Sequence, residues 1–338
     1  MRDLATLPKA HLHLHLEGAM RPATLAEFAR EAGEAAPPVR GYATFPEFVR
    51  MYDGAVAFIR TRDQLARVVR EVVQDAAASG AVWIEAQANP MFYVPQFGTP
   101  QEVTEFMVRT GREEAGRLGV GFGLMLVAIR NLPPAEAEAL ARLAAGFAGR
   151  GVVSFGLAAD EALFGPAPFE RAFAIAREAG LLAAPHAGEL RGPDSVREAL
   201  DLLGARRVQH GVRAVEDPEL VRRLADEGTV LDVCPSSNVA LRVVPEMGAH
   251  PLPALLEAGV RCSLNGDDPL LFGPGLLEEY ETARTALGLS DDQLAEVARA
   301  SLEGAAAPAE FVGAQLAAVE AWLAGPAASA PARAAARE

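Results

Sequence analysis

Lysine is nearly missing from this chain: among 338 residues and 31 basic side chains, Lys9 is the only lysine. Acidic residues number 45, giving a formal net charge of −14. A chain this acidic lacks the basic surface that nucleic acid or an anionic membrane requires, so neither is an expected partner. Cysteine is scarce too, and Cys234 and Cys262 form no CxxC pair. That excludes a disulfide framework, a zinc ribbon, a thioredoxin-like redox pair and the cysteine-ligated zinc site of small nucleobase deaminases. No apolar run reaches the roughly 18 residues of a transmembrane helix. The N-terminus shows neither a long apolar segment nor a small-residue cleavage site, so the expected location is the cytoplasm. No glycine-rich phosphate loop follows an early strand, which counts against an open dinucleotide-binding sheet.

Half of the residues are hydrophobic, enough for a large core and too many for global disorder. Short apolar, β-branched stretches at 10–16, 81–88, 120–128, 151–157, 181–186, 206–210, 229–234 and 260–264 read as strands. Helical periodicity lies between them. Leu65, Val68, Val69 and Val72 recur at three- and four-residue steps within 63–79, and helices are expected at 133–148 and 217–227, the latter opened by Asp217-Pro218. Eight strands alternating with helices predict an α/β fold, a (β/α)8 TIM barrel, with its site at the strand C-termini. Residues 1–324 form one hydrolase barrel in this reading. Extra helices between the first two strands, within 20–80, make a lid, and 325–338 form a disordered tail.

Histidines mark the site. His11, His13 and His15 alternate along the first strand, so they are expected on one face about 6.6 Å apart, with His13 and His15 able to grip one metal ion. His186 ends the fifth strand, His210 the sixth, and Asp267-Asp268 follow the eighth. His250 falls in a loop and reads as structural. Three imidazoles and a carboxylate around an open position make a catalytic zinc site, where the pKa of a water falls to about 7. The carboxylated lysine that bridges two metals in many barrel hydrolases has no candidate, because Lys9 precedes the first strand; a single metal is expected, with a glutamate-bridged pair as the alternative.

Pro8-Lys9, His13-Leu14-His15-Leu16-Glu17-Gly18, His186-Ala187-Gly188-Glu189, His210-Gly211, Cys234-Pro235-Ser236-Ser237-Asn238 and Leu264-Asn265-Gly266-Asp267-Asp268-Pro269 occur in that order. This set resembles the adenosine deaminase family of the metal-dependent amidohydrolases. The resemblance implies one Zn2+ per chain on His13, His15, His186 and Asp267, and no organic cofactor. It implies that Glu189 protonates purine N1, that His210 orients the water and helps deprotonate it with Asp267, and that Asp268 bonds at N7. His15, Glu17 and Ala159 would line the substrate. The implied reaction is hydrolytic deamination at C6, adenosine to inosine plus ammonia, with adenine or a 5′-modified nucleoside such as aminodeoxyfutalosine as alternatives. Two other readings are an amidohydrolase for another ring amine and a purine-binding barrel without turnover; the intact acid, base and metal set counts against the second. The partner is thus a small purine or purine nucleoside, and the sequence leaves a homo-oligomer open. Four positions depart from the family pattern: Glu17 stands where Asp is usual in nucleoside-specific members, His11 occupies a position often acidic, Ala159 replaces a glycine, and Gln87 stands where arginine is common. Adenine-specific relatives also tend to carry Glu at position 17.

Overall fold

A computed structural model describes residues 1–326. Nine parallel strands run in chain order: β1 (Lys9–His15), β2 (Ala81–Ala88), β3 (Gly121–Ile129), β4 (Val152–Ala158), β5 (Leu182–Ala183), β6 (His186–Ala187), β7 (Arg207–His210), β8 (Val230–Val233) and β9 (Arg261–Leu264). They form two sheets, β1 to β5 and β6 to β9. The short β5 and β6 are halves of the fifth barrel strand, interrupted at Ala184-Pro185, where proline has no N–H to give the ladder. Ala184 N still bonds Phe155 O (3.0 Å) and Gln209 N bonds Pro185 O (2.9 Å), so this seam is stitched. The ring closes between β1 and the segment after β9: His15 N donates to Asp267 O (3.0 Å), Asp267 N to His13 O (3.1 Å), and Asn265 Oδ1 accepts from Leu12 N (2.7 Å) and His13 N (3.0 Å). This is the expected (β/α)8 barrel. Eight of the eight sequence stretches become strands, within one or two residues at their ends except at the broken fifth.

The crossover helices bury the stripes that their periodicity announced. Helix Arg62–Ala78 turns Leu65, Val68, Val69 and Val72 inward, and Asp217 caps helix Pro218–Glu227 by accepting from Glu219 N and Leu220 N. Helix Pro134–Gly146 lies in the expected 133–148. Within 20–80 only helix Phe45–Val56 reaches over the barrel mouth, where Phe45, Phe48, Val49 and Tyr52 line the cavity; Arg62–Ala78 packs outside β2. The tail expected at 325–338 lies outside the described residues from 327 onward.

Bulky aliphatic residues usually fill such a barrel; here its lower interior is ionic. The buried Arg207 guanidinium bridges Glu85 Oε2 (2.7 Å) and Asp232 Oδ2 (2.7 Å). Ser154, Trp83 Nε1 and Ala306 N complete Glu85, and Ser263 completes Asp232. Removing one partner of such a buried set strands the others in low dielectric, at a cost of about 3–5 kcal/mol.

One expectation fails. His11 does not share a face with His13 and His15. The β1–β2 register slips between His11 and Leu14, and such an irregularity reverses the alternation. His11 and Leu14 therefore both line a separate cavity of ≈ 370 Å³ with Val72, Ala76 and Leu276, outside the barrel. His11 Nε2 accepts from Gly266 N (3.0 Å) there. Lys9 also lies away from the mouth, its ammonium donating to Leu4 O (2.7 Å) and Leu7 O (3.0 Å).

Candidate active site

The strand C-termini open into a cavity of ≈ 610 Å³. Lining it are His15, Glu17, Ala159, His186, Glu189, His210, Asp267 and Asp268, all expected site residues, together with Gln87 and an apolar wall of Phe45, Phe48, Phe92, Val127, Ile129 and Leu241. His13 sits beneath, fully buried.

Ring nitrogens and a carboxylate converge at the floor. His13 Nε2 lies 3.1 Å from His186 Nε2 and 3.1 Å from Asp267 Oδ1, and His15 Nε2 lies 3.3 Å from the same oxygen. Ligands on a tetrahedral zinc at ordinary Zn–N and Zn–O lengths stand about 3.3 Å apart. His13 Nδ1 faces the Asp232 carbonyl (3.3 Å), to which it donates, leaving the lone pair on Nε2 for a metal. The donor set therefore fits zinc. Ligand atoms of His13, His186, His210 and Asp267, one from each, lie within 4.8 Å of one another, while His15 groups with Asp267 and Asp268. His15 thus joins through Asp267, and His210 stands closer to the floor than the sequence suggested. Burial alone would raise Asp267, but His13, His15 and His210 around it hold its carboxyl well below the usual range.

Glu189 leaves β6 on a loop held from beneath. The buried Glu161 carboxylate accepts five hydrogen bonds from that loop and its helix: Gly188 N (2.6 Å), Glu189 N (3.0 Å), Leu190 N (2.6 Å), Arg191 N (3.0 Å) and Ser195 Oγ (2.5 Å). Buried Arg130 clips the adjoining backbone at His186 O (2.6 Å) and Phe164 O (2.8 Å). Burial, then the negative fields of Asp267 and Glu161, push the Glu189 carboxyl well above the usual carboxylate range, which favours its protonated form. The sequence assigns Glu161 and Arg130 no role; the acidic pair Asp160-Glu161 just after β4 is the sign it offers.

At the opposite wall Glu17 is clasped by two phenols, Tyr93 OH to Oε1 (2.7 Å) and Tyr52 OH to Oε2 (3.0 Å). Burial raises its pKa, and these bonds oppose the rise. Asp268 is buried, with Oδ1 unpartnered among the described residues. Burial, with Asp267 alongside, raises its carboxyl well above the usual range. Gly18 is required beside it, because a Cβ at that position would collide with the Asp268 carboxyl. Ala159 adopts φ +80°, where the family's glycine would be unstrained.

The sequence profile of the family described as Adenosine deaminase matches residues 8–322. A putative adenosine/adenine deaminase of Streptomyces coelicolor is 45% identical, covering 96% of this chain and 98% of its own. An adenine deaminase of Sinorhizobium medicae is 40% identical, covering 89% of this chain and 94% of its own. Among solved structures, an adenine deaminase from Arthrobacter aurescens superposes with TM-score 0.87 at 30% identity, over 94% of this chain and 99% of that one. A zinc-bound amidohydrolase from Burkholderia ambifaria gives TM-score 0.83 at 28% identity, over 94% and 91%. With the histidines and carboxylates of most of its motifs in or beneath one cavity and these likenesses spanning nearly the whole length, the chain belongs to the adenosine deaminase family.

Proposed function

We propose that the protein is a zinc-dependent hydrolase that deaminates an aminopurine at C6, using one zinc per chain on His13, His15, His186 and Asp267, and that free adenine is its preferred substrate. One observation carries the chemistry: a metal-donor floor lies in the same cavity as a buried carboxyl, Glu189, which stands 3.5 Å from His210 Nε2 and whose protonated form burial favours. When bound, zinc lowers the pKa of a water to about 7 and so supplies the nucleophile. Glu189 donates its proton to ring N1, which leaves C6 electron-poor and ready for attack. His210 holds the attacking oxygen in place. The Asp268 carboxyl, whose protonated form burial favours, donates to N7 through its free oxygen, and the apolar wall keeps bulk water from the reacting face. The proton remaining on the oxygen added at C6 passes to the amino group, which leaves as ammonia as the C6 carbonyl forms, and adenine becomes hypoxanthine.

Preference for the base follows from the clasped Glu17. With C6 over the metal, N1 at Glu189 and N7 at Asp268, the five-membered ring points N9 towards Glu17. A carboxylate there accepts from the N9–H of adenine. Adenosine carries its sugar on N9 and has no such hydrogen. The names of the adenine deaminase relatives support the same choice. Adenosine is the second reading, because a cavity of ≈ 610 Å³ has room for a nucleoside. Ammonia release from adenine, adenosine, deoxyadenosine and 5′-modified adenosines tests the proposal. Adenine should give the highest kcat/KM, and Glu17→Asp should move the ranking towards adenosine by about 1–3 kcal/mol, the scale of one methylene in a fitted pocket. Adenosine leading in the unmodified protein would refute the preference, and no ammonia from any of the four would refute the function.

A further inference from the structure

His210 is the fifth possible donor at the floor, and its ring is tied to a chain of hydrogen bonds that starts on the backbone. Leu252 N donates to His250 Nδ1 (3.1 Å). A backbone amide can only donate, so His250 Nδ1 is bare, and the proton of this neutral ring sits on Nε2. His250 Nε2 lies 3.2 Å from Asn238 Oδ1, to which it donates. That fixes the Asn238 amide, because the flipped amide would set N–H against N–H. Asn238 Nδ2 then donates to His210 Nδ1 at 3.2 Å. The His210 hydrogen must therefore lie on Nε2. His250, Asn238 and His210 are all buried, at most 4% exposed, so no bulk solvent competes for these bonds.

We infer that Asn238 and His250 are positioning residues that lock His210 as the Nε2–H tautomer, which bars it from the metal and from accepting the water's proton. His210 Nε2 faces Glu189 Oε1 (3.5 Å) and Asp267 Oδ2 (3.8 Å). With a hydrogen there it has no lone pair to offer zinc, although it stands within the same donor group as His13, His186 and Asp267. It can only donate, to the attacking oxygen or to a carboxylate. The proton of that oxygen then falls to Asp267 Oδ2, because Oδ1 faces His13 and His15. The role implied for His210 by family likeness, orienting and deprotonating, is narrowed to orienting. This inference rests on the function proposed above.

The chain has six histidines, few enough for a direct measurement. In the zinc-loaded protein labelled with [15N]histidine, two-bond 1H–15N correlations report the tautomer of each ring, and His210→Gln assigns one set of signals. The expected result is a protonated Nε2 and a bare Nδ1 at His210. A proton on Nδ1, or a metal-bound Nε2, overturns the inference. Asn238→Asp supplies the second test, because a carboxylate accepts from both rings and draws the His210 proton to Nδ1. That variant should keep its zinc and its KM within a few fold, switch the His210 signals, and lose roughly 10- to 100-fold in kcat. An unswitched spectrum with unchanged kcat counts against the relay. Ammonia release by the unmodified protein is scored separately, so a failure of the deaminase reading is distinguishable from a failure of the relay.

Discussion

Ala159, His210 and Asp267 have positive φ, at 80°, 62° and 58°; Arg242 is the only other non-glycine with this conformation among the described residues. Left-handed backbone costs an L-residue about 1–2 kcal/mol, and strain of this kind collects where function fixes geometry. Ala159→Gly should relieve it and, after the entropic cost of glycine, raise stability by about 0.5–1 kcal/mol, read as a higher urea midpoint with an unchanged m-value. Glu189 makes the sharper case. Glu189→Gln removes the mobile proton and keeps the shape, so kcat should drop by roughly 10²-fold or more with zinc content unaltered. Near-normal turnover would show that another group delivers the proton to N1. Both positions were legible in the sequence, one by its offset from His186 and the other as a misfit in a glycine position. Tyr52, Tyr93 and Glu161 were not. Their partners Glu17 and Gly188–Arg191 lie tens of residues away, and no local spacing connects them.

Elements explain where reading residues in order goes astray. Period two placed three histidines on one face, and one register slip in β1 put His11 outside the barrel; nothing in His-Leu-His-Leu-His marks such a slip. The stretch 181–186 reads as one strand, and Pro185 divides it. Helix stripes survived because four inward positions outvote any single misplacement. The loop from β6 to helix Pro193–Asp201 carries the proposed proton donor Glu189, and four of its backbone amides end on Glu161. Glu161→Gln would turn an amide donor towards some of them. Each N–H left unpaired costs about 1–3 kcal/mol. The expected outcome is a stability loss of that order together with a kcat deficit that largely disappears in a Glu189→Gln background. Additive losses in the double variant would show that Glu161 does not act through Glu189.

At the scale of the molecule, the candidate zinc floor draws on both sheets: His13 and His15 from β1, His186 from β6, and Asp267 at the closing seam. Chelation should therefore lower Tm, and zinc at 100 times its Kd should restore about 2.7 kcal/mol; a Tm indifferent to chelator would refute a metal that ties the seams. Stability should also depend on acid through His250, which burial holds down to about 4 from its ordinary 6.5. Between those values the unfolded chain binds the proton and the fold does not. This contribution is complete above pH 6.5 and is lost as pH falls towards 4, by up to about 3 kcal/mol. In denaturant titrations His250→Gln should flatten the pH slope in that window. Lys9, buried against two carbonyls at the far end of the barrel from the site, has a different consequence. The folded protein presents no lysine to an acylating reagent among its described residues. Each acylated Lys9 is then a permanent record of one opening of the barrel, and mass spectrometry of that single amine turns the rarest residue of the sequence into a clock for unfolding.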